Sequence, residues 1–229
     1  MPESHESTVA ESPLIAGWRT QQSGVKKLPR GRHGIPRSEI ERSQRGRAYR
    51  ACLVELGLNG SVNVSAIVRE ASISRKAFYE LFASCEECIA GALATANVIL
   101  GDEMLAAIER ADHTDPLYKI RVIAGEFCQM AAEEPEIAVA IAGTTYSLNH
   151  ATRQVWLDVL QARYAIVSAY WDEARMRDSA LAPTTPDRIT AANRFLEGRV
   201  LEEIAAGRAA SLPDVADSIA DSFIEIVGG

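Results

Sequence analysis

The sequence predicts an all-α protein, an N-terminal three-helix helix-turn-helix head followed by a six-helix bundle. Three observations carry that expectation. Apolar residues recur at spacings of three and four, as in Ala48, Tyr49, Cys52, Leu53 and Leu56 and again in Ile120, Ile123, Ala124, Phe127 and Ala131, the period of a helix with one buried face. The period-two alternation of a half-buried strand is scarce. Breakers punctuate the chain at GLNG (57–60), ASIS (71–74), FAS (82–84), DHTDP (112–116), EEP (133–135), SLN (147–149), ALAPTTP (180–186) and GRAASLP (207–213).

That punctuation delimits helices over 38–57, 63–70, 74–81, 85–110, 116–132, 135–147, 149–178, 187–207 and 213–227. Residues 1–37 read as a flexible arm, basic from residue 26; 38–84 as the head; and 85–229 as the bundle. In the second helix Val64, Ile67, Val68 and Ala71 fall at i, i+3, i+4 and i+7, with Asn63 placed to cap its start. Two turns of helix do not stand alone, so this element must lean on its neighbours. Ser74 caps the third helix, small Ala71 allows a close approach of the two, and Phe78, Leu81 and Phe82 give the third its inward face. Two short helices around a four-residue turn form a helix-turn-helix layout.

With 229 residues, 47% of them hydrophobic, the chain can bury a substantial core. Its N-terminus, MPESHESTVAESP, is polar and acidic, unlike a secretory leader, and no run of eighteen apolar residues occurs. Four cysteines without regular spacing fit a reducing compartment, and a cytoplasmic location is expected. The net charge of −7 is unevenly spread. Residues 26–80 carry 12 Lys and Arg against 5 Asp and Glu, whereas residues 81–229 carry 11 against 23. A basic block ahead of an acidic remainder suggests that the first meets a polyanion, the plain alternative being a solvated basic face.

The third helix sharpens the choice. With its apolar residues turned inward, Arg75, Lys76 and Tyr79 share the outer face of its N-terminal end. In a DNA-reading helix that end approaches base edges, where Arg contacts guanine and Lys or Tyr suits phosphate. Cations in a first turn oppose the helix macrodipole, a small cost that a bound polyanion reverses. Asn63, Ser65 and Ser74 add short polar groups beside them. Arg45 of the first helix, with Arg42 and Arg47, either contacts phosphate or faces water. The arm KKLPRGRHGIPR supplies Arg30, Arg32 and Arg37, suited to lying along a minor groove or to serving as a solubilising tail.

The run VSAIVREASISRKAFYELFASCEECI resembles the TetR-type one-component transcriptional regulators. The likeness lies in Ile67, Glu70, Ala71, Ile73, Ser74, Phe78, Tyr79 and Phe82, followed by Ser84, Glu86 and Glu87, and covers roughly residues 38–90. It implies a homodimer that binds a palindromic DNA operator, represses, and is released by a small effector. The sequence departs from the family pattern at Ser72, where Gly is usual, at Glu80, at Cys85, where a phosphate-contacting basic residue is common, and in the length of the GLNG loop.

The same resemblance assigns the bundle a small-molecule site and the dimer interface. Candidate ligand contacts are Met104, Phe127, Met130, Tyr146, His150, Trp156 and Tyr164, with Gln129 as a further polar hook and ordinary core packing as the alternative. A mostly apolar effector is the default. The apolar stripes of the last two helices, Ile189, Phe195, Leu196, Val200 and Ile204 on one and Val215, Ile219 and Phe223 on the other, are assigned to a dimeric four-helix bundle, the alternative being intramolecular core.

Other chemistries find less support. Cys85 and Cys88 form a C-x-x-C at a helix start, where the dipole would lower a thiol pKa, so a redox or small-molecule sensor acting through a protein partner without sequence-specific DNA binding is the competing reading. The histidines at 5, 33, 113 and 150 are scattered and no second cysteine pair completes a zinc site. No glycine-rich phosphate loop or nucleophile elbow is present, so neither an enzyme nor a cofactor is expected.

Overall fold

The structure is a computed structural model that describes residues 36–143 and 150–229, with the side chains of residues 150–152, 155, 156 and 160 outside that description. Among the described residues every regular element is helical. The head comprises α1 (Arg37–Asn59), α2 (Val64–Glu70) and α3 (Arg75–Leu81). The remainder comprises α4 (Cys85–Ala111), α5 (Pro116–Glu133), α6 (Pro135–Gly143), α7 (His150–Arg177), α8 (Pro186–Ala205) and α9 (Leu212–Gly228), with a 3-10 turn at Ala209–Ser211.

The helices begin where short polar side chains satisfy their first free amides. Asn63 accepts from the Ala66 amide at 3.1 Å, Ser74 from Ala77 at 3.0 Å and Ser84 from Glu87 at 3.1 Å. Asp115 and Thr185 cap α5 and α8, each followed by a proline in the first turn, where a missing N–H costs nothing. The α1 terminus differs from expectation. The helix passes through Gly57 and stops at Gly60, whose left-handed φ of 68° turns the chain while its amide bonds the Leu56 carbonyl at 2.8 Å.

Gly57 stays helical because α6 crosses it closely. A β-carbon there would stand 1.9 Å from the Glu136 carbonyl oxygen, so only glycine allows this approach.

Two hydrophobic cores share α4. The first gathers Leu53, Ile67, Phe78 and Phe82 of the head with Cys88, Ala92 and Ala96 of α4 and Ile137, Ala140 and Ile141 of α6. The second gathers Leu100, Ile120, Phe127, Trp171, Ile189, Val200, Ile219 and Phe223. The head is therefore fastened to the rest through α1 against α4 and α6. α4 is apolar and long enough to cross a bilayer, yet it packs within the bundle against α1, α5 and α7.

Of the stripes assigned to the dimer, Ile189, Leu196, Val200, Ile219 and Phe223 are buried within the protomer, where α9 packs on α5 and α8. Helical period shows that a stripe is buried but not against what, and here the covering elements belong to the same chain. Phe195, Ile204 and Val215 stay partly exposed at the edge of that core.

Candidate functional site

The turn between α2 and α3 sets the orientation of the outward-facing helix. The Ser72 amide bonds the Arg69 carbonyl at 3.3 Å and the Ile73 amide bonds Val68 at 3.1 Å, the paired bonds of a Schellman ending. Such an ending needs a left-handed residue, and Ser72 takes it at φ 52°, in place of the glycine that the position favours. Arg47 reaches from α1 to donate to the Ala71 carbonyl at 2.7 Å. Burial pushes its guanidinium below the ordinary arginine pKa, and its role is to hold the turn rather than to meet solvent or phosphate.

Beyond that turn α3 leaves Arg75, Lys76 and Tyr79 on the surface, with Lys76 87% and Tyr79 56% exposed. The Tyr79 ring meets the buried Phe78 ring edge-on at 5.4 Å between centroids. Arg75 donates to Ser65 at 2.5 Å, which orients its guanidinium across the N-terminal ends of α2 and α3. Asn63 and Ser74 spend an acceptor each on their caps and keep their hydrogens for an incoming acceptor. Glu80 lies 3.8 Å from Lys76, one turn on, and reduces the local positive charge.

The flanking cations separate. Arg45 stacks over the Phe82 ring at 4.9 Å, which places it beside α3 with its N–H fork available. Arg37 is 81% exposed and pairs with Glu41 at 2.7 Å, an exposed contact of little energetic weight. Arg30 and Arg32 lie outside the described residues.

Cys85 and Cys88 are free thiols. The Cys85 thiol points at the Val62 carbonyl, 3.8 Å away, and burial, with Cys88 and Glu86 adding to it, pushes its pKa up rather than down. Cys88 is fully buried. The thiol activation expected from the start of α4 is thus overridden by desolvation.

Behind the head, a cavity of about 310 Å³ lies among α4, α5 and α7, with α8 and α9 completing its wall. Met104 and Phe127 line it, together with Ile108, Ile120, Ile123, Ile166 and Phe223. Val98 and Leu105, 60% and 46% exposed, stand one above the other on α4 at its opening. Met130 and Gln129 line a different cleft, of about 270 Å³, and Tyr164 packs on the second core without lining the cavity. These three therefore stand apart from the cavity that Met104 and Phe127 line. Tyr146 lies outside the described residues, as do the side chains of His150 and Trp156.

The polar lining escaped the sequence reading. Arg163 of α7 donates to Asn97 Oδ1 on α4 and stands 3.6 Å from Glu197 of α8. Asn97 is fixed in turn by its own amide, which donates to the Leu93 carbonyl at 2.8 Å. Burial pushes the Arg163 guanidinium below its usual pKa, opposed by Glu197, and pushes the Glu197 carboxyl above its usual value, opposed by Arg163 and Arg194. The available signal was Arg163 itself, which falls in the stripe Val159, Ile166, Val167, where an unpaired surface arginine would not be placed.

No protein-family model and no curated protein sequence matches the chain. Solved structures do. The fatty acid degradation regulator FadR from Bacillus halodurans superposes with a TM-score of 0.70 at 13% identity over 87% of this chain and 97% of that one. FadR from Bacillus subtilis, solved in complex with stearoyl-CoA, gives 0.69 at 12% identity, over 79% and 98%. A TetR transcription regulator from Haloarcula marismortui gives 0.61 at 14% identity, over 80% and 97%. The chain therefore has the fold of the TetR-type regulators, as the residues between 38 and 90 suggested.

Proposed function

We propose that this protein is a DNA-binding transcriptional regulator of the TetR type, a cytoplasmic homodimer that reads a palindromic operator with α3 and is released by a small, mostly apolar effector held in the α4, α5, α7 cavity. The observation that carries this reading is the row of Arg75, Lys76 and Tyr79, exposed at the capped end of α3 and aimed by the Arg47 contact to Ala71. Asn63, Ser65, Ser74, Arg45 and Arg37 border that row, and Arg30 and Arg32 precede it in sequence as further candidate phosphate contacts. Binding to a duplex makes use of exposed cations whose contacts to Glu41 and Glu80 lie at the surface and carry little energetic weight.

Dimerisation supplies the second reading head that a palindrome requires. The partly exposed Phe195, Ile204 and Val215 on α8 and α9 offer apolar surface for it. Repression follows from occupancy of the operator, and release from an effector that favours a head spacing unlike that of the DNA-bound form. Selecting bound duplexes from a random pool tests the whole reading. A palindromic consensus, with affinity falling steeply as salt rises, is expected; enrichment of no sequence rejects it.

A further inference from the structure

We propose that the α4, α5, α7 cavity takes an uncharged amphiphile, a medium-chain aliphatic amide or a molecule of the same head chemistry, rather than a fatty acid anion or an alkylammonium. The inference rests on reading the cavity as the effector site and names the class of its occupant. Its polar end is already balanced in charge, because Arg163 and Glu197 face one another at 3.6 Å. A carboxylate entering there meets Glu197, with Asp102 at the rim, and like charges repel strongly where solvent screens them poorly. An ammonium meets the Arg163 guanidinium instead. A plain hydrocarbon removes water from both charged groups and returns no hydrogen bond.

An amide head satisfies both sides. Its carbonyl accepts from the Arg163 N–H groups not used by Asn97, and its N–H groups donate to Glu197 or to Asn193. Asn193 is buried and its side-chain amide donates to the Ile189 carbonyl at 2.9 Å, which leaves the side-chain carbonyl as an acceptor in the cavity wall. The alkyl tail lies along Ile108, Ile120, Ile123, Phe127 and Ile166 toward the opening at Val98 and Leu105. At about 310 Å³ the space falls at the small end of ligand pockets, which favours a single medium chain.

Calorimetric titration of the full chain with decanamide, decanoate and decylamine at pH 7.5, without DNA, tests the proposal. Decanamide is expected to bind at least tenfold more tightly than either charged analogue, and octanamide roughly sixteenfold more weakly than decanamide, about fourfold per methylene. In Glu197→Gln the lost negative charge shifts preference toward decanoate; should that variant not fold, Arg163→Gln shifts it toward decylamine. Decanoate or decylamine binding as tightly as decanamide, or saturable binding of none of the three, overturns the proposal. Operator binding is scored separately. Decanamide that binds without releasing the selected duplex leaves the ligand class standing and removes the effector reading, whereas specific duplex binding with no amide affinity removes the ligand class alone.

Discussion

Arg50 of α1 and Glu134 between α5 and α6 are joined by a single guanidinium nitrogen that reaches both carboxylate oxygens, at 2.9 and 2.7 Å. The side chains are 16% and 10% exposed, so this ion pair between head and bundle is largely withdrawn from solvent. Removing Arg50 takes from Glu134 its cationic partner, a loss of about 3 kcal/mol for a buried pair, whereas replacing both with apolar groups of similar size is close to neutral. Arg50→Met is therefore expected to lower the urea midpoint strongly, and Arg50→Met with Glu134→Leu to recover most of it. The double variant should bind operator but respond weakly to effector, because the connection that orients α1 on the bundle has lost its geometry. Full effector response in the double variant would show that the coupling runs elsewhere.

The helices were legible in the sequence because their faces and caps are local. Asn63, Ser74 and the breakers at 112–116 and 180–186 act within a few residues of themselves, and the outward row on α3 follows from the period of Phe78, Leu81 and Phe82. What was not legible depends on distant partners. Arg47 resembled the other cations of α1 until Ala71 stood opposite it, 24 residues on, and Arg163 acquired its meaning from Asn97 and Glu197 on two other helices. The stripe of α8 and α9 was correctly read as buried, and only the tertiary arrangement tells that the same chain covers Ile189, Leu196 and Phe223.

Gly57→Ala probes the crossing of α1 and α6. The added methyl group would meet backbone, the Glu136 carbonyl, which cannot rotate away as a side chain does. Although alanine is the better helix former by about 1 kcal/mol, the overpacking is expected to outweigh it and destabilise by about 2 kcal/mol net. Chemical denaturation of the variant checks the sign; a stabilised Gly57→Ala would place α6 further from α1.

Ser72→Gly should act in the opposite direction. At φ 52° serine sits in the left-handed region that glycine enters without steric cost, and the loss of that strain exceeds the added freedom of the unfolded chain. A gain of about 0.5–1 kcal/mol in unfolding free energy is expected, with operator affinity kept, since Ser72 supplies only backbone to the turn.

Glu197 gives the cavity a pH signature. Burial raises its pKa above the ordinary glutamate value, with Arg163 and Arg194 opposing, so the folded chain holds this proton over a window where the unfolded chain has released it. Native protein then binds more protons than unfolded protein, and stability falls as pH rises from the ordinary value through the raised one, then levels off. Glu126, raised chiefly by burial with Glu103 and Glu133 adding to it and Arg110 opposing, contributes in the same direction. Urea unfolding across that range should show a shallower decline in Glu197→Gln, the remaining slope belonging to Glu126. An unchanged slope would mean that Glu197 ionises alike in both states.

Arg47 and Lys76 should separate by salt dependence. Lys76 is 87% exposed and pairs with Glu80 at 3.8 Å, so as a phosphate contact it contributes one released counterion. Lys76→Ala is then expected to leave stability almost unchanged, weaken binding to all duplexes alike and reduce the slope of log affinity against log salt by about 1. Arg47 is committed to the Ala71 carbonyl, and Arg47→Met leaves that buried acceptor short of a charged donor, at a cost of about 2 kcal/mol of stability. Affinity for the selected operator should drop because α3 loses its fixed orientation, while the slope stays near the wild-type value, no phosphate contact having been removed. Arg75→Ala completes the comparison: a bidentate contact to a guanine is worth about 1–3 kcal/mol, so preference should relax at one operator position. If Arg47→Met lowers the slope as Lys76→Ala does, Arg47 contacts phosphate in the complex and the turn is held by its backbone bonds alone.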